Sequence, residues 1–260
     1  MLSASFIFSI LFQLVLPFVV SLFVVRRYRT PWSLYLVGGI SYLCFWVVQP
    51  LVAQLVEGND FYVTQIAGLP TVYIFLIEGL ILAVVEQAIR TGSYWYARSR
   101  VREWGQGLTV AAGQASIGLL LIGLQLLLFF VSWTVMASTR GEGLNLSADE
   151  LANLLTQLEG FLALPWYFPL LVAMQGFVIF MLQLGLGMMV WQAVNQKAWV
   201  WLGAALLWQT AMNTLYKVLS QRDPDLISTG IFALTALAHA WFLYLLHQKT
   251  SQSALALAEK

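Results

Sequence analysis

Charged residues are scarce in this sequence. Only 10% of the 260 residues are Asp, Glu, Lys or Arg, whereas 60% are hydrophobic, and the mean hydropathy is +0.78. Soluble domains average about 25% charged and about 45–50% apolar residues. The net charge of +1 supplies no basic face for nucleic acid. The composition therefore indicates a polytopic integral membrane protein and argues against a nucleic-acid partner.

Cysteine and histidine are also nearly missing. The single cysteine, Cys44, excludes an intramolecular disulfide and any zinc site built from several thiolates. The two histidines, His239 and His247, both lie near the C-terminal end of the sequence. The sequence therefore offers few thiolate or imidazole ligands from which a metal site could be built.

Long apolar runs are abundant and predict the fold. Runs of about 20 residues are candidate membrane spans. Seven such runs occur, at residues 3–25, 32–56, 68–89, 107–135, 164–194, 198–219 and 226–246. We therefore expect an all-α transmembrane helix bundle that forms a single domain over residues 1–260.

The distribution of basic residues predicts the orientation of the bundle. If the loop after the first span is cytoplasmic, the inner loops and the C-terminal tail collect ten of the 13 basic residues. The outer side keeps only Arg140, Lys217 and Arg222. Basic residues are enriched in cytoplasmic loops, so the sequence predicts an outside N-terminus and an inside C-terminus.

The segment 147–160 has the pattern of a short amphipathic helix on the outer face. Ser147 and Glu150 stand at the two positions of a capping box. Leu151, Leu154 and Leu158 recur at helical spacing, so the helix has one apolar face. Two interpretations remain open at this point, a helix packed over its own bundle and a docking site for a partner.

Several polar residues interrupt the apolar runs. Glu86 and Arg90 stand four residues apart, so they share one helix face and can pair. Carboxylates inside a membrane span are costly and are candidates for function. Buried amides usually hydrogen-bond across helices, but several of them facing one space with a carboxylate would form a polar cavity. The candidates for such a cavity, besides the residues discussed next, are Glu78, Gln125 and Gln175.

Four short stretches carry a resemblance to a known family. They are VEQAIR at 85–90, GQASIG at 113–118, QLGLGMMV at 183–190 and WQTAMN at 208–213. In order and spacing they resemble the motifs of the YhfC-type intramembrane metalloproteases, which are distant relatives of the CAAX-processing and bacteriocin-maturation membrane proteases. That family carries Glu-Glu-x-x-Arg at the end of one helix and Gly-His-Gly-x-x-Glu in the next. Two later helices each supply a His, the last followed four residues on by Asn or Asp.

The departures from those motifs bear directly on chemistry. On this resemblance the first glutamate position holds Val85 and the second motif's glutamate position holds Gly118. The three histidine positions hold Gln114, Gln183 and Gln209. The residues that match the motifs are Glu86, Arg90 and Asn213. Zinc is bound by imidazole, thiolate or carboxylate, and amides are poor substitutes. We therefore expect no catalytic residues, no metal and no cofactor.

Three functional hypotheses follow from this reading. The first is a catalytically inactive, protease-like membrane protein that acts as a structural or assembly subunit among other membrane proteins. The second is a binding or transport module that uses a cavity at Glu78 and the glutamines for a small molecule, a lipid or a proton. The third is residual proteolysis with Glu86 as the base. Each places the chain in a lipid bilayer, and the resemblance implies the bacterial cytoplasmic membrane.

The predicted orientation can be tested by cysteine labelling. With Cys44 replaced by Ser, a cysteine introduced at Asn145 should react with a membrane-impermeant maleimide in intact cells, because that loop lies outside. A cysteine at Ser99 should react only after the membrane is permeabilised. The reverse pattern would overturn the predicted topology.

Overall fold

The computed structural model describes residues 1–140 and 147–222, and, further on, residues 230, 234–235, 237–245 and 248. Within this part of the chain the regular structure is helical and contains no strand, which confirms the all-α prediction. The helices are α1 (Leu2–Tyr28), α2 (Trp32–Glu57), a π-helical turn (Tyr62–Ile66), α3 (Thr71–Ala97), α4 (Trp104–Thr139), α5 (Ala148–Leu162), α6 (Phe168–Asn195) and α7 (Val200–Arg222).

Five of the helices are long and apolar enough to cross a membrane. They are α1, α2, α3, α4 and α6, and they coincide with the first five predicted spans. Each has at least 26 residues, which at about 1.5 Å per residue exceeds the roughly 30 Å hydrocarbon thickness. The helices therefore contact the lipid bilayer, as the composition predicts.

The last two predicted spans are not among these five helices. Helix α7 has 23 residues, but Gln209, Asn213 and Lys217 lower its hydropathy, and it does not belong to the group of five. Most of the seventh predicted span, 226–246, lies outside the described residues, although 237–245 are helical. The total of seven spans and their orientation stay predictions.

Helix α4 forms the centre of the bundle and packs against α1, α2 and α6, while α3 packs mainly against α7. The contact between α2 and α4 is made by glycines. A Cβ atom on Gly38 would lie 2.0 Å from the Val110 carbonyl oxygen, and one on Gly113 would lie 2.0 Å from the Tyr35 carbonyl oxygen. Small residues allow such close backbone contact between membrane helices. This contact holds α2 close to the polar residues of α4.

Helix α5 begins and packs as its sequence predicts. Both hydrogen bonds of the capping box are present, and the bonds from Ser147 lower the pKa of Glu150 below its usual value. At the other end, Leu158 and Phe161 are buried against Phe6 and Trp133, whose ring stacks on Phe161 at a centroid distance of 5.9 Å. The apolar face of α5 is thus covered by its own bundle, which favours the first of the two interpretations of this segment.

Candidate functional site

Four helices bring polar side chains together inside the bundle. Each of these side chains has an exposed fraction of only 2–6%. They come from α3, α4, α6 and α7 and occupy positions that the sequence motifs single out. The five residues of this central polar cluster are Glu86, Arg90, Gln114, Gln183 and Gln209.

The guanidinium of Arg90 lies at the middle of this cluster. Its Nε donates to Oε1 of Gln114 at 3.1 Å, and its Nη2 donates to Oε1 of Glu86 at 2.5 Å. The same Nη2 also donates to Oε1 of Gln183. Arg90 therefore connects α3 to α4 and α6, and the predicted ion pair with Glu86 is present and buried.

The carboxylate of Glu86 is bound on both oxygens. Oε1 accepts from Arg90, and Oε2 accepts from the Nε2 of Gln209 on α7. Oε1 of Gln209 in turn accepts from Nε2 of Gln87, which is 3% exposed. Helix α7 is thereby fixed to α3 through both ends of one amide. Both carboxylate oxygens of Glu86 therefore accept a hydrogen bond.

Gln87, Ser41 and Ser93 were missed by the sequence reasoning. Nε2 of Gln114 donates to the hydroxyls of Ser41 at 2.9 Å and Ser93 at 3.2 Å. Ser93 could have been found, because it stands three residues after Arg90 and thus on the same face of α3. Nothing in the sequence distinguishes Ser41 from other small residues of α2.

The two positions at which the resemblance implies a glutamate, Val85 and Gly118, differ in their surroundings. Val85 is half-buried on α3, next to Glu86 in the chain but turned about 100° from it around the helix. Gly118 is buried, and a Cβ placed on it would lie 3.0 Å from the Tyr42 ring. The ring of Tyr42 therefore fills the space that a longer side chain at position 118 would need.

Asn213 and Glu78 lie farther along the contact between α3 and α7. Nδ2 of Asn213 donates to the Gly79 carbonyl oxygen at 3.4 Å. Glu78 accepts from Nζ of Lys217 and from the hydroxyl of Tyr62, each at 2.5 Å. This second hydrogen bond raises the pKa of Tyr62, in the π-helical turn, to about 12. Glu78 is eight residues, or about 12 Å of helix, from Glu86 and forms a separate pair.

The three candidates for a shared polar cavity do not meet. Glu78 lines a small space of about 80 Å³ together with Glu57 and Lys217. Gln125 is exposed on the surface of α4, and Gln175 is half-buried on α6. Helical spacing indicated how deep each residue lies along its helix, but it did not indicate toward which neighbour the residue points.

A larger cavity lies against the central polar cluster. Its volume is about 310 Å³, and it is lined by residues of α2, α3, α6 and α7. Glu86, Gln183, Gln209 and Asn213 contribute to its polar wall. The residues at four of the motif positions therefore line one space.

The residues of this site do not fit the zinc ion that the metalloprotease resemblance implies. Glu86 is the only carboxylate of the cluster, and both its oxygens are engaged. Among the described residues, no group of three or more His, Cys, Asp or Glu is placed to hold a metal ion. His239 packs against Gly185 and Trp208, and Gly185 is two residues from Gln183, on nearly the opposite side of α6.

Comparison with known proteins supports the resemblance seen in the motifs. A family model described as YhfC intramembrane metalloprotease matches residues 12–239, which includes every helix of the polar cluster. No curated protein and no solved structure matches the chain. Because the family match covers most of the sequence, the chain belongs to the YhfC intramembrane metalloprotease family.

Proposed function

We propose that this chain is a catalytically inactive member of its family and serves as a structural or assembly subunit of a larger membrane complex. The catalytic inactivity is supported by the position of Arg90. Its guanidinium donates hydrogen bonds to Gln114 and Gln183, which occupy two of the three histidine positions of the family motifs. The cationic side chain of Arg90 thus occupies the amide oxygens that face the centre of the site.

Electrostatics oppose a metal ion in this arrangement. A divalent cation beside Arg90 would be repelled by a like charge in a medium of low dielectric constant. The amide oxygens of Gln114 and Gln183 already accept from Arg90, so a metal would have to displace strong charge-assisted hydrogen bonds. Neutral amide oxygens are also weak zinc ligands compared with imidazole.

Residual proteolysis by Glu86 is the weaker alternative. A general base must accept a proton from water, and its pKa and hydrogen bonds must leave it able to do so. Both oxygens of Glu86 are held, one by Arg90 and the other by Gln209. A lone carboxylate would also lack the electrostatic stabilisation that a metal or an oxyanion site supplies.

The assembly role is supported by the exposure of Gln125. This amide is next in the chain to Leu126, which is buried in an apolar cluster with Phe6 and Ile10 of α1. Gln125 is therefore at a level where the bundle is apolar. An amide in hydrocarbon without a hydrogen-bond partner is costly, and membrane helices commonly satisfy such amides across a helix–helix contact. We infer that a helix of another membrane chain packs at this face.

Metal content tests the loss of catalysis. The tag-free protein, incubated with zinc and then freed of excess metal by gel filtration, should retain far less than about one zinc per chain, because the site lacks basic ligands. Elemental analysis gives the ratio directly. Stoichiometric zinc that is lost in Glu86→Gln, or peptide cleavage abolished by that substitution, would restore the enzyme.

The structural importance of Arg90 can be measured through unfolding. Arg90→Met should lower the free energy of unfolding in mild detergent by about 3–5 kcal/mol, because it leaves the Glu86 charge buried without its partner. The double variant Glu86→Gln with Arg90→Met should recover much of that loss. Arg100→Met, at an exposed position, serves as the control and should cost about 0–1 kcal/mol. An equal loss of unfolding free energy in Arg90→Met and Arg100→Met would contradict the role of Arg90 as the buried centre of the polar cluster.

The contact at Gln125 can be detected by photo-crosslinking in native membranes. A benzophenone amino acid at Gln125 should give a discrete protein adduct, because a partner helix covers this face. The same probe at Leu207, which is 72% exposed on α7, should react mainly with lipid. If position 125 gives only lipid adducts, the proposed helix contact at this face is wrong.

A further inference from the structure

The large cavity beside the central polar cluster is lined by polar groups that no described residue satisfies. Nε2 of Gln183 makes no hydrogen bond with any described residue, although Gln183 is only 6% exposed and lines the cavity. Tyr42 and Asn213 line the same cavity, and neither the hydroxyl of Tyr42 nor Oδ1 of Asn213 has a partner among the described residues. A buried amide or hydroxyl left without a hydrogen bond costs free energy, so such groups point to a bound molecule.

The charged groups of the cavity wall, in contrast, are already neutralised within the protein. Glu86 pairs with Arg90, and Lys217 pairs with Glu78. A ligand with a net charge would have to compete with one of these pairs in a medium of low dielectric constant. The uncharged groups that remain are the amide donor of Gln183, the amide acceptor of Asn213, the phenol of Tyr42 and the amide of Gln49. Together they suit an uncharged head that both donates and accepts hydrogen bonds.

The rest of the wall is apolar. Phe45, Leu82, Ile179 and Met212 face the same space, so the cavity is amphiphilic. Its volume of about 310 Å³ is at the lower end of small-molecule sites, which occupy roughly 300–1,000 Å³. It has room for a small polar head and the first carbons of a chain, and it lies among helices that contact the bilayer.

We propose that this cavity binds an uncharged amphiphile, a lipid whose hydroxyl- or amide-bearing head contacts Gln183, Asn213 and Tyr42 while its hydrocarbon lies against the apolar wall. The inference goes beyond the assembly role and does not depend on it, because it uses groups that the Arg90 cluster leaves unpaired. No covalent step is involved. The ligand adds hydrogen bonds to a site whose charges are already paired within the protein.

Binding can be tested with three probes of equal chain length, monoolein, oleate and oleylamine, added to the delipidated full-length protein in detergent. Native mass spectrometry and the thermal shift should show saturable binding of about one monoolein per chain, with much weaker binding of the two charged probes. Equal binding of all three probes would overturn the choice of an uncharged head. Failure of monoolein to saturate would mean that the cavity holds water only.

Two variants locate the site. Ile179→Trp should fill the cavity and abolish saturable monoolein binding, whereas Leu207→Trp, on the exposed face of α7, should leave it unchanged. Tyr42→Phe removes one hydroxyl at nearly constant volume and should weaken binding about fivefold. Monoolein affinity that is unchanged in both Ile179→Trp and Tyr42→Phe would exclude this cavity. These outcomes are separate from zinc content, so a failure here leaves the proposal of catalytic inactivity untouched.

Discussion

The structure depends on a buried arginine. A guanidinium cannot be deprotonated in proteins and is expensive to hold away from water, so a bundle that encloses one must supply acceptors from several directions. Glu86 on the same helix supplies the balancing charge, while Gln114 and Gln183 supply amide oxygens from two neighbouring helices. The positions of α4 and α6 around α3 are therefore restricted to those that keep these acceptors within hydrogen-bonding distance of Arg90.

This constraint explains why glutamine suits the positions at which the family motifs carry histidine. Gln has an oxygen for the arginine and an NH₂ group for a second partner, as Gln114 shows by also donating to Ser41 and Ser93. A neutral imidazole offers one acceptor lone pair and a single N–H, so it could not accept from Arg90 and also donate to both serines. A cluster built around an organic cation favours amides, whereas a cluster built around zinc favours imidazoles. Gln114 and Gln183 thus suit a cluster centred on arginine, and Gln209 uses both ends of its amide to bind Glu86 and Gln87.

The sequence predicted the parts of this arrangement that follow from regular periodicity. Five spans, the capped helix after Ser147 and the Glu86–Arg90 pair each depend on spacing within one helix. Contacts between helices depend also on how each helix is rotated, and periodicity does not supply that rotation. For this reason the sequence grouped Gln125 with the cavity candidates, although it faces outward, and overlooked Gln87 and Ser41. The family motifs supplied part of this missing information for Gln114, Gln183 and Gln209.

Helix α7 shows how the same polar groups serve both packing and the cavity. Gln209, Asn213 and Lys217 recur every four residues, so they form one stripe along the face turned toward α3. That stripe lowers the hydropathy of α7 below that of the other long helices, yet two of its three residues are bound to side chains of α3 and the third to its backbone. Oδ1 of Asn213 accepts no hydrogen bond from a described residue, and at this position the stripe borders the cavity instead of closing it. Polar residues placed to hold two helices together thereby leave a space with hydrogen-bonding capacity between them.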